Sequence, residues 1–271
     1  MALVPFPGPQ SSTPGAYSTD PDDYDDDDSP GAKMSFLEHL DELRKRIVYS
    51  LSAVGVCLLI AFTFITKIYA FLMAPTMKQL PAGSRLMYTE PGEAFSLYIQ
   101  LSLIVGVLMA APFIMYQLWL FIAPGLYANE KKMAIPFVVL SSIGFLGGAA
   151  FNHYIMFPWM MAFFASFNTN DLLFMPKLDS VFSLYTKFLI AMAAVFQMPT
   201  LVFFLAKMQV ITARFLIAQF KYAVLLIFIV SAVITPTGDP VTQTVFAAPM
   251  VALYVLGIAI AWVVGPKRLR E

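Results

Sequence analysis

Two carboxylates, Glu42 and Glu130, are the side chains whose type and surroundings best suit ligand binding. Each lies beside basic residues and next to a long apolar run, where a hydrocarbon span is expected to meet water. A carboxylate pairs bidentately with the guanidinium fork of arginine, which stays charged at any physiological pH. The two carboxylates therefore suit a peptide that carries arginines, as one option among several.

A simpler interpretation of Glu42 is an ion pair within its own helix. Residues 35–46 open with Ser35 three residues before Glu38, a capping box that predicts a helix start. Apolar residues then recur at helical spacing, so we expect one side of this helix to lie in the membrane interface before the chain turns into the bilayer. Glu42 and Arg46 are four residues apart, a pair worth about 0.2–0.5 kcal/mol on an exposed helix.

Few other polar residues lie within the apolar runs. Gln197 is the one nearest the middle of a run, and it either docks a helix of another subunit or packs within this chain. Asn152 and His153 lie towards the outer end of another run, where we expect only local hydrogen bonds. Asp239, between Gly238 and Pro240, is either functional or, more usually for this setting, a turn former.

The sequence contains no glycine-rich phosphate loop and no nucleophile with a base nearby. Its two histidines, His39 and His153, are far apart, and Cys57 is the only cysteine. We therefore expect no enzymatic activity, no catalytic residue, no metal site, no cofactor and no nucleic acid partner. An ion-coupled carrier normally places charged residues at membrane depth, and none is found in the middle of a run.

The composition identifies a multispanning membrane protein. Of the 271 residues, 59% are hydrophobic and only 13% are charged, against an apolar share of roughly 45–50% in soluble domains. Six apolar segments each approach the roughly 20 residues that cross about 30 Å of hydrocarbon. Lys221 interrupts the fifth, so it snorkels or the bilayer thins there. The predicted spans are 47–69, 95–123, 135–163, 181–205, 215–234 and 241–264.

Charge predicts the orientation of these spans. Twelve of the 17 basic residues fall on the side of the two termini, so the positive-inside rule places both termini in the cytoplasm. Residues 1–34 hold seven Asp and are expected to form a disordered acidic cytoplasmic tail, and 266–271 a basic cytoplasmic end. The breaker-rich first outer loop, 70–94, predicts a structured cap with short turns.

Four motifs together resemble the TatC family, the large subunit of the Sec-independent, twin-arginine protein translocase. The resemblance runs in order over about residues 35–265 and leaves out only the acidic tail. The motifs are HLDELRKR (39–46), LMAPTMKQLPAGS (72–84), PFIMYQLWLFIAPGLYANEKK (112–132) and TPTGDPVTQT (235–244).

The resemblance implies an all-α membrane domain of six helices in a concave, glove-like array that binds signal peptides with consecutive arginines. It implies structural or functional roles on the outer side for Pro75 and Asp239. Gln197 stands where many relatives have Glu, and a neutral amide cannot take up or release a proton. The residues that the resemblance assigns to signal-peptide binding are Glu42, Arg44, Phe121 and Glu130.

As a member of this family, the chain is expected in the bacterial cytoplasmic membrane, where it recruits TatA-like and TatB-like single-span partners. It would self-associate in a larger complex and export folded precursors with energy from the proton-motive force. Two alternatives stay open at this point: a small-solute secondary transporter, and a structural membrane anchor for an enzyme complex.

Overall fold

The computed structural model describes residues 36–79, 86–122, 134–169, 174–235 and 239–265. Within these ranges the regular elements are helical, apart from an isolated bridge between Met87 and Lys177. The predicted tail 1–34 and basic end 266–271 lie outside the described residues. The helices are α1 (Phe36–Thr63), α2 (Ile65–Gln79), α3 (Glu93–Ile122), α4 (Ala134–Phe151), a π-helical turn (Asn152–Met156), α5 (Phe157–Ala165), α6 (Leu178–Val195), α7 (Met198–Lys207), α8 (Ala213–Ala218), α9 (Phe220–Ile234) and α10 (Pro240–Val264).

Five helical segments in the described part are long and apolar enough to cross a membrane, which confirms an all-helical, multi-pass membrane protein. They correspond to the predicted spans one to four and six. The fifth predicted span is divided near Gln219 into α8 and the 15-residue α9. At 1.5 Å per residue α9 is about 22 Å long, shorter than the roughly 30 Å hydrocarbon core. The five long segments are Glu38–Thr63, Glu93–Ile122, Ala134–Ala165, Leu178–Lys207 and Pro240–Val264.

The helix that contains most of the first predicted span, 47–69, begins before the span and ends within it. The chain does not turn near Ile47, because no proline or glycine interrupts 36–54 and α1 continues as one helix. At the other end α1 stops at Thr63, whose hydroxyl donates to the Leu59 carbonyl at 3.1 Å. Such back-bonding often bends a helix, and α2 starts separately at Ile65.

Hydrogen bonds join the segment that precedes α3 and the first turn of α3 to the start of α6. The Glu93 carboxylate accepts the backbone N–H of Thr89 at 2.8 Å and that of Asp179 at 2.9 Å. The N–H of Leu178 donates to the Met87 carbonyl at 2.8 Å. These bonds order the described part of the predicted cap from residue 86 onward, whereas 70–79, predicted as part of the same loop, belong to α2.

Close backbone approach joins α1 to α3, the two helices that carry the candidate site. At Gly106 of α3, an added Cβ would lie 2.9 Å from the backbone nitrogen of Leu58 on α1. Any larger residue would push the helices apart. The main core is centred on α6, whose Phe182, Tyr185 and Phe188 are almost fully buried.

Candidate functional site

Glu42 and Arg46 lie one turn apart on α1 and form an ion pair. Arg46 Nη2 lies 2.9 Å from Glu42 Oε1. The Glu42 side chain is only 16% exposed and that of Arg46 26%, so water screens this pair less than it would on an open helix. The simpler interpretation of Glu42, an ion pair within its helix, is therefore confirmed.

Gln117 links this pair to α3. Arg46 Nη1 donates to Gln117 Oε1 at 3.3 Å, and Gln117 is only 6% exposed. The two ends of the guanidinium therefore bind different helices, Glu42 on α1 and Gln117 on α3. This bridge holds the carboxylate at the line where the two helices meet.

Two hydrogen-bonding atoms of the Glu42–Arg46 pair are unused. Glu42 Oε2 and Arg46 Nε are both buried, and neither has a hydrogen-bond partner among the described residues. A fully bidentate pair would use both atoms. Because burying such atoms without partners costs free energy, the pair has capacity for a further polar group.

An aromatic pair lies on the same side of α1. The rings of His39 and Phe121 are stacked, with centroids 4.4 Å apart and planes inclined by 17°. Phe121 is in the last turn of α3, so this stack joins the first turns of α1 to the end of α3. The structure thus brings two predicted site residues, Glu42 and Phe121, to one end of the same helix pair.

An apolar groove of about 310 Å³ begins at this polar end and runs between the two helices. We call it the α1–α3 groove. Arg46 and Gln117 line one part of it, and the rest is almost entirely apolar. Its apolar walls are formed mainly by Ile47, Leu51 and Val54 of α1 and by Ile114, Leu118 and Phe121 of α3.

Arg44 does not join this site. It is two residues from Glu42, which places the two side chains about 200° apart around the helix. Arg44 is exposed and lines a separate surface cavity of about 340 Å³ with Asp41 and Lys45. Glu130, the other predicted carboxylate, lies outside the described residues.

Gln197 makes a contact within the chain. It lies in the turn between α6 and α7, two residues before Pro199, and its Nε2 donates to the Ser141 carbonyl of α4 at 3.0 Å. This contact supports the packing interpretation of Gln197. Docking of a partner helix at this residue stays a prediction.

The two residues predicted on the outer side, Pro75 and Asp239, lie within a helix and at the start of one. Pro75 is buried within α2. Asp239 is the N-cap of α10, where its carboxylate accepts the backbone N–H of Thr242 at 2.7 Å. The turn-forming interpretation of Asp239 therefore agrees with the structure.

The expectation for His153 was incomplete, because its partners come from distant segments. His153 is 6% exposed, stacks on Phe71 of α2 at 4.4 Å and has Nδ1 3.4 Å from the Tyr185 hydroxyl of α6. These residues line a cavity of about 420 Å³ with Lys67. Spacing along the chain gives no signal for contacts between residues so far apart. The same holds for Arg46 and Gln117, which were not predicted as site residues.

The fold and site together define a class: a multi-pass helical membrane protein with a largely buried glutamate–arginine pair beside an apolar groove. A family model described as "Sec-independent protein translocase protein (TatC)" matches residues 38–249. The chain belongs to the TatC family and is a core subunit of the Sec-independent translocase, a transport role rather than an enzymatic one. This membership decides against the solute transporter and the enzyme anchor.

Individual relatives agree with this assignment. The chain is 38% identical over 241 residues to a TatC protein of Koribacter versatilis, covering 88% of this chain and 89% of the relative. It is 40% identical over 228 residues to a TatC protein of Helicobacter pylori, covering 84% and 89%. A crystal structure described as "Twin Arginine Translocase Receptor- TatC" superposes with a TM-score of 0.71 at 35% identity, covering 83% of this chain and 98% of that one.

Proposed function

We propose that this chain is the receptor of a twin-arginine translocase, which binds the signal peptides of folded precursors through their consecutive arginines. The observation that carries the proposal is the position of Glu42. Its carboxylate pairs with Arg46, which lines the polar end of the α1–α3 groove, and its second oxygen, Oε2, has no hydrogen-bond partner among the described residues. A guanidinium fork matches a carboxylate in both charge and geometry.

Each part of the signal peptide has a place in this proposal. One arginine pairs with Glu42 and the other with Glu130, while Phe121 offers a ring face on which a guanidinium stacks. The apolar part of the peptide enters the α1–α3 groove and displaces water from its walls. Arg44, which the family resemblance assigns to signal-peptide binding, lies on the opposite side of α1, and we place its cavity outside the surface that receives the arginines.

The proposed surroundings follow from the charge pattern and the family. Six helices form a concave, glove-like array in the bacterial inner membrane, with the acidic tail and both termini in the cytoplasm. There the complex holds several copies with TatA-like and TatB-like partners. Gln197 and Pro75 serve assembly and the outer cap. The proton-motive force supplies the energy, in line with a sequence that holds no phosphate-binding loop.

Exchange of Glu42 tests the proposal. The full chain, as wild type, Glu42→Ala or Glu42→Lys, is reconstituted and exposed to a signal peptide with paired arginines and a photoreactive group. We expect crosslinking to fall at least about tenfold for both variants, because a charge-assisted pair is lost. Glu130→Ala tests the second carboxylate in the same way.

Asp41→Ala is the matched control, since Asp41 is a neighbouring carboxylate that faces the Arg44 cavity. It should leave crosslinking within about twofold of wild type, as expected for an exposed charge. Undiminished crosslinking by both Glu42 variants would overturn the assignment of this residue.

A further inference from the structure

Arg46 occupies the carboxylate that the proposed function assigns to the ligand. Its guanidinium makes a contact of 2.9 Å with Glu42, the same kind of contact that a signal-peptide arginine would make. Glu42 Oε2 is buried, so it is not open to a second guanidinium from solvent. An incoming arginine therefore reaches Glu42 only by moving Arg46 aside.

Gln117 can keep its hydrogen bond to the Arg46 guanidinium after Arg46 leaves Glu42. Arg46 Nη1 already donates to Gln117 Oε1 at 3.3 Å, and this contact does not depend on Glu42. Arg46 can therefore release Oε1 and keep one hydrogen bond to α3. Its unused Nε shows that the resident pair does not use the full hydrogen-bonding capacity of the fork, which lowers the cost of exchange.

From these contacts we infer that Arg46 is a resident competitor at Glu42, which a ligand must displace and which therefore lowers the apparent affinity of the site. A ligand arginine replaces one guanidinium by another and offers both donors of its fork. A ligand lysine offers a point charge without the fork, but it meets the same competitor, so Arg46 lowers the apparent affinity for both ligands by the same factor. The inference rests on the proposed function, because it concerns the same carboxylate.

The alternative to competition is that Arg46 is a positioning residue, and the two roles have opposite effects on ligand binding. As a positioning residue, Arg46 would hold Glu42 in the orientation that the ligand needs. Its loss would then weaken the binding of every arginine peptide. As a competitor, its loss strengthens binding, so the two roles differ in the sign of the effect.

The test measures binding of two signal peptides, one with paired arginines and one with paired lysines, to the reconstituted full chain. In Arg46→Gln we expect both peptides to bind about threefold to tenfold more tightly, because removal of a competitor raises the apparent affinity of every ligand for this carboxylate by the same factor. Arg46→Lys keeps the charge and a donor for Gln117 but loses the fork, and should show a smaller gain. It also covers the case in which Arg46→Gln fails to fold.

Lys45→Gln is the matched control, because it removes an equal charge from the adjacent, exposed position on the side of the Arg44 cavity. It should change the binding of either peptide by less than about twofold. Weaker or unchanged binding of the arginine peptide in both Arg46 variants, or an equal gain in Lys45→Gln, would overturn the inference. Glu42→Gln in the Arg46-containing chain separates the outcomes: if it leaves binding intact, the proposed function fails, and if it abolishes binding, only the role of Arg46 is in question.

Discussion

Partial burial determines what the Glu42–Arg46 pair contributes. On an open surface such a pair adds little, because solvent and salt screen it. Here both side chains are mostly covered, and removal of one partner leaves the other charge poorly solvated. The covered Glu42 carboxylate therefore needs a cation beside it, which is supplied either by Arg46 of its own helix or by a ligand.

Gln197 shows that a neutral side chain can join two segments of the membrane domain by a hydrogen bond. Its amide donates to the Ser141 carbonyl on α4 at the break between α6 and α7. Gly144 lies one turn further along α4, where an added Cβ would come within 2.8 Å of the Phe196 carbonyl. The contact therefore lies where α4 and the α6–α7 break approach closely.

Replacement of this amide gives a prediction about stability. Gln197→Leu should lower the stability of the chain in detergent by about 1 kcal/mol or less, since hydrogen bonds between membrane helices are typically of that size. Thermal unfolding of the purified chain measures it. Gln197→Glu, which keeps an acceptor but loses the donor to Ser141, is the companion variant. No loss of stability in either variant would show that the hydrogen bond does not contribute, and loss of co-purifying single-span partners alone would favour the docking interpretation.

Local chemistry was predictable at single residues, and distant partners were not. Asp239 beside Gly and Pro indicated a turn, and the structure makes it a helix cap. The four-residue spacing of Glu42 and Arg46 likewise indicated their pair. Gln117 is 71 positions from Arg46, and no periodicity within α1 or α3 connects them. Such a contact is set by how two helices pack.

At the scale of elements, the fit of α1 against α3 builds the candidate site. It brings Arg46 to Gln117 and His39 to Phe121, and it forms the α1–α3 groove. Gly106 permits the approach, because its missing side chain leaves room for the backbone of α1.

Gly106→Ala should therefore disturb the site without changing any of its residues. We expect a loss of about 1–3 kcal/mol of stability, the usual cost of overpacking, together with weaker binding of a paired-arginine peptide. Thermal unfolding and peptide crosslinking measure the two effects. Gly55→Ala is the control on α1, since its added Cβ meets nothing within 4 Å. An equal response of the two variants would contradict the proposed dependence on close packing.

The composition of the sequence predicted that the long helices exist, but it did not predict where they end. Long apolar runs predicted the five long segments because a bilayer requires about 20 apolar residues per crossing. The end of α1 at Thr63 and the division at Gln219 fall within apolar sequence. Proline and glycine, the strongest breakers, are absent from both places. The bond from the Thr63 hydroxyl to the Leu59 carbonyl accompanies the first of these ends, and neither hydropathy nor a count of breakers reveals such a contact.

At the scale of the whole molecule, the account requires that the carboxylate end of the α1–α3 groove face the compartment from which precursors arrive. The distribution of lysine and arginine predicts that orientation through the positive-inside rule. The specific motifs predicted the family assignment, which the family model confirms. What the sequence left open was the arrangement in which Arg46 competes at Glu42, because it depends on three side chains from two helices.

The most direct test of the central claim is a double-mutant cycle between Glu42 and the peptide. Binding is measured for wild type and Glu42→Gln, each with a paired-arginine peptide and with the same peptide carrying glutamine at one or the other arginine. The account predicts a coupling of about 1.5–3 kcal/mol between Glu42 and one of the two arginines, the range for hydrogen bonds to charged groups. Additive effects for both arginines would contradict direct pairing at Glu42.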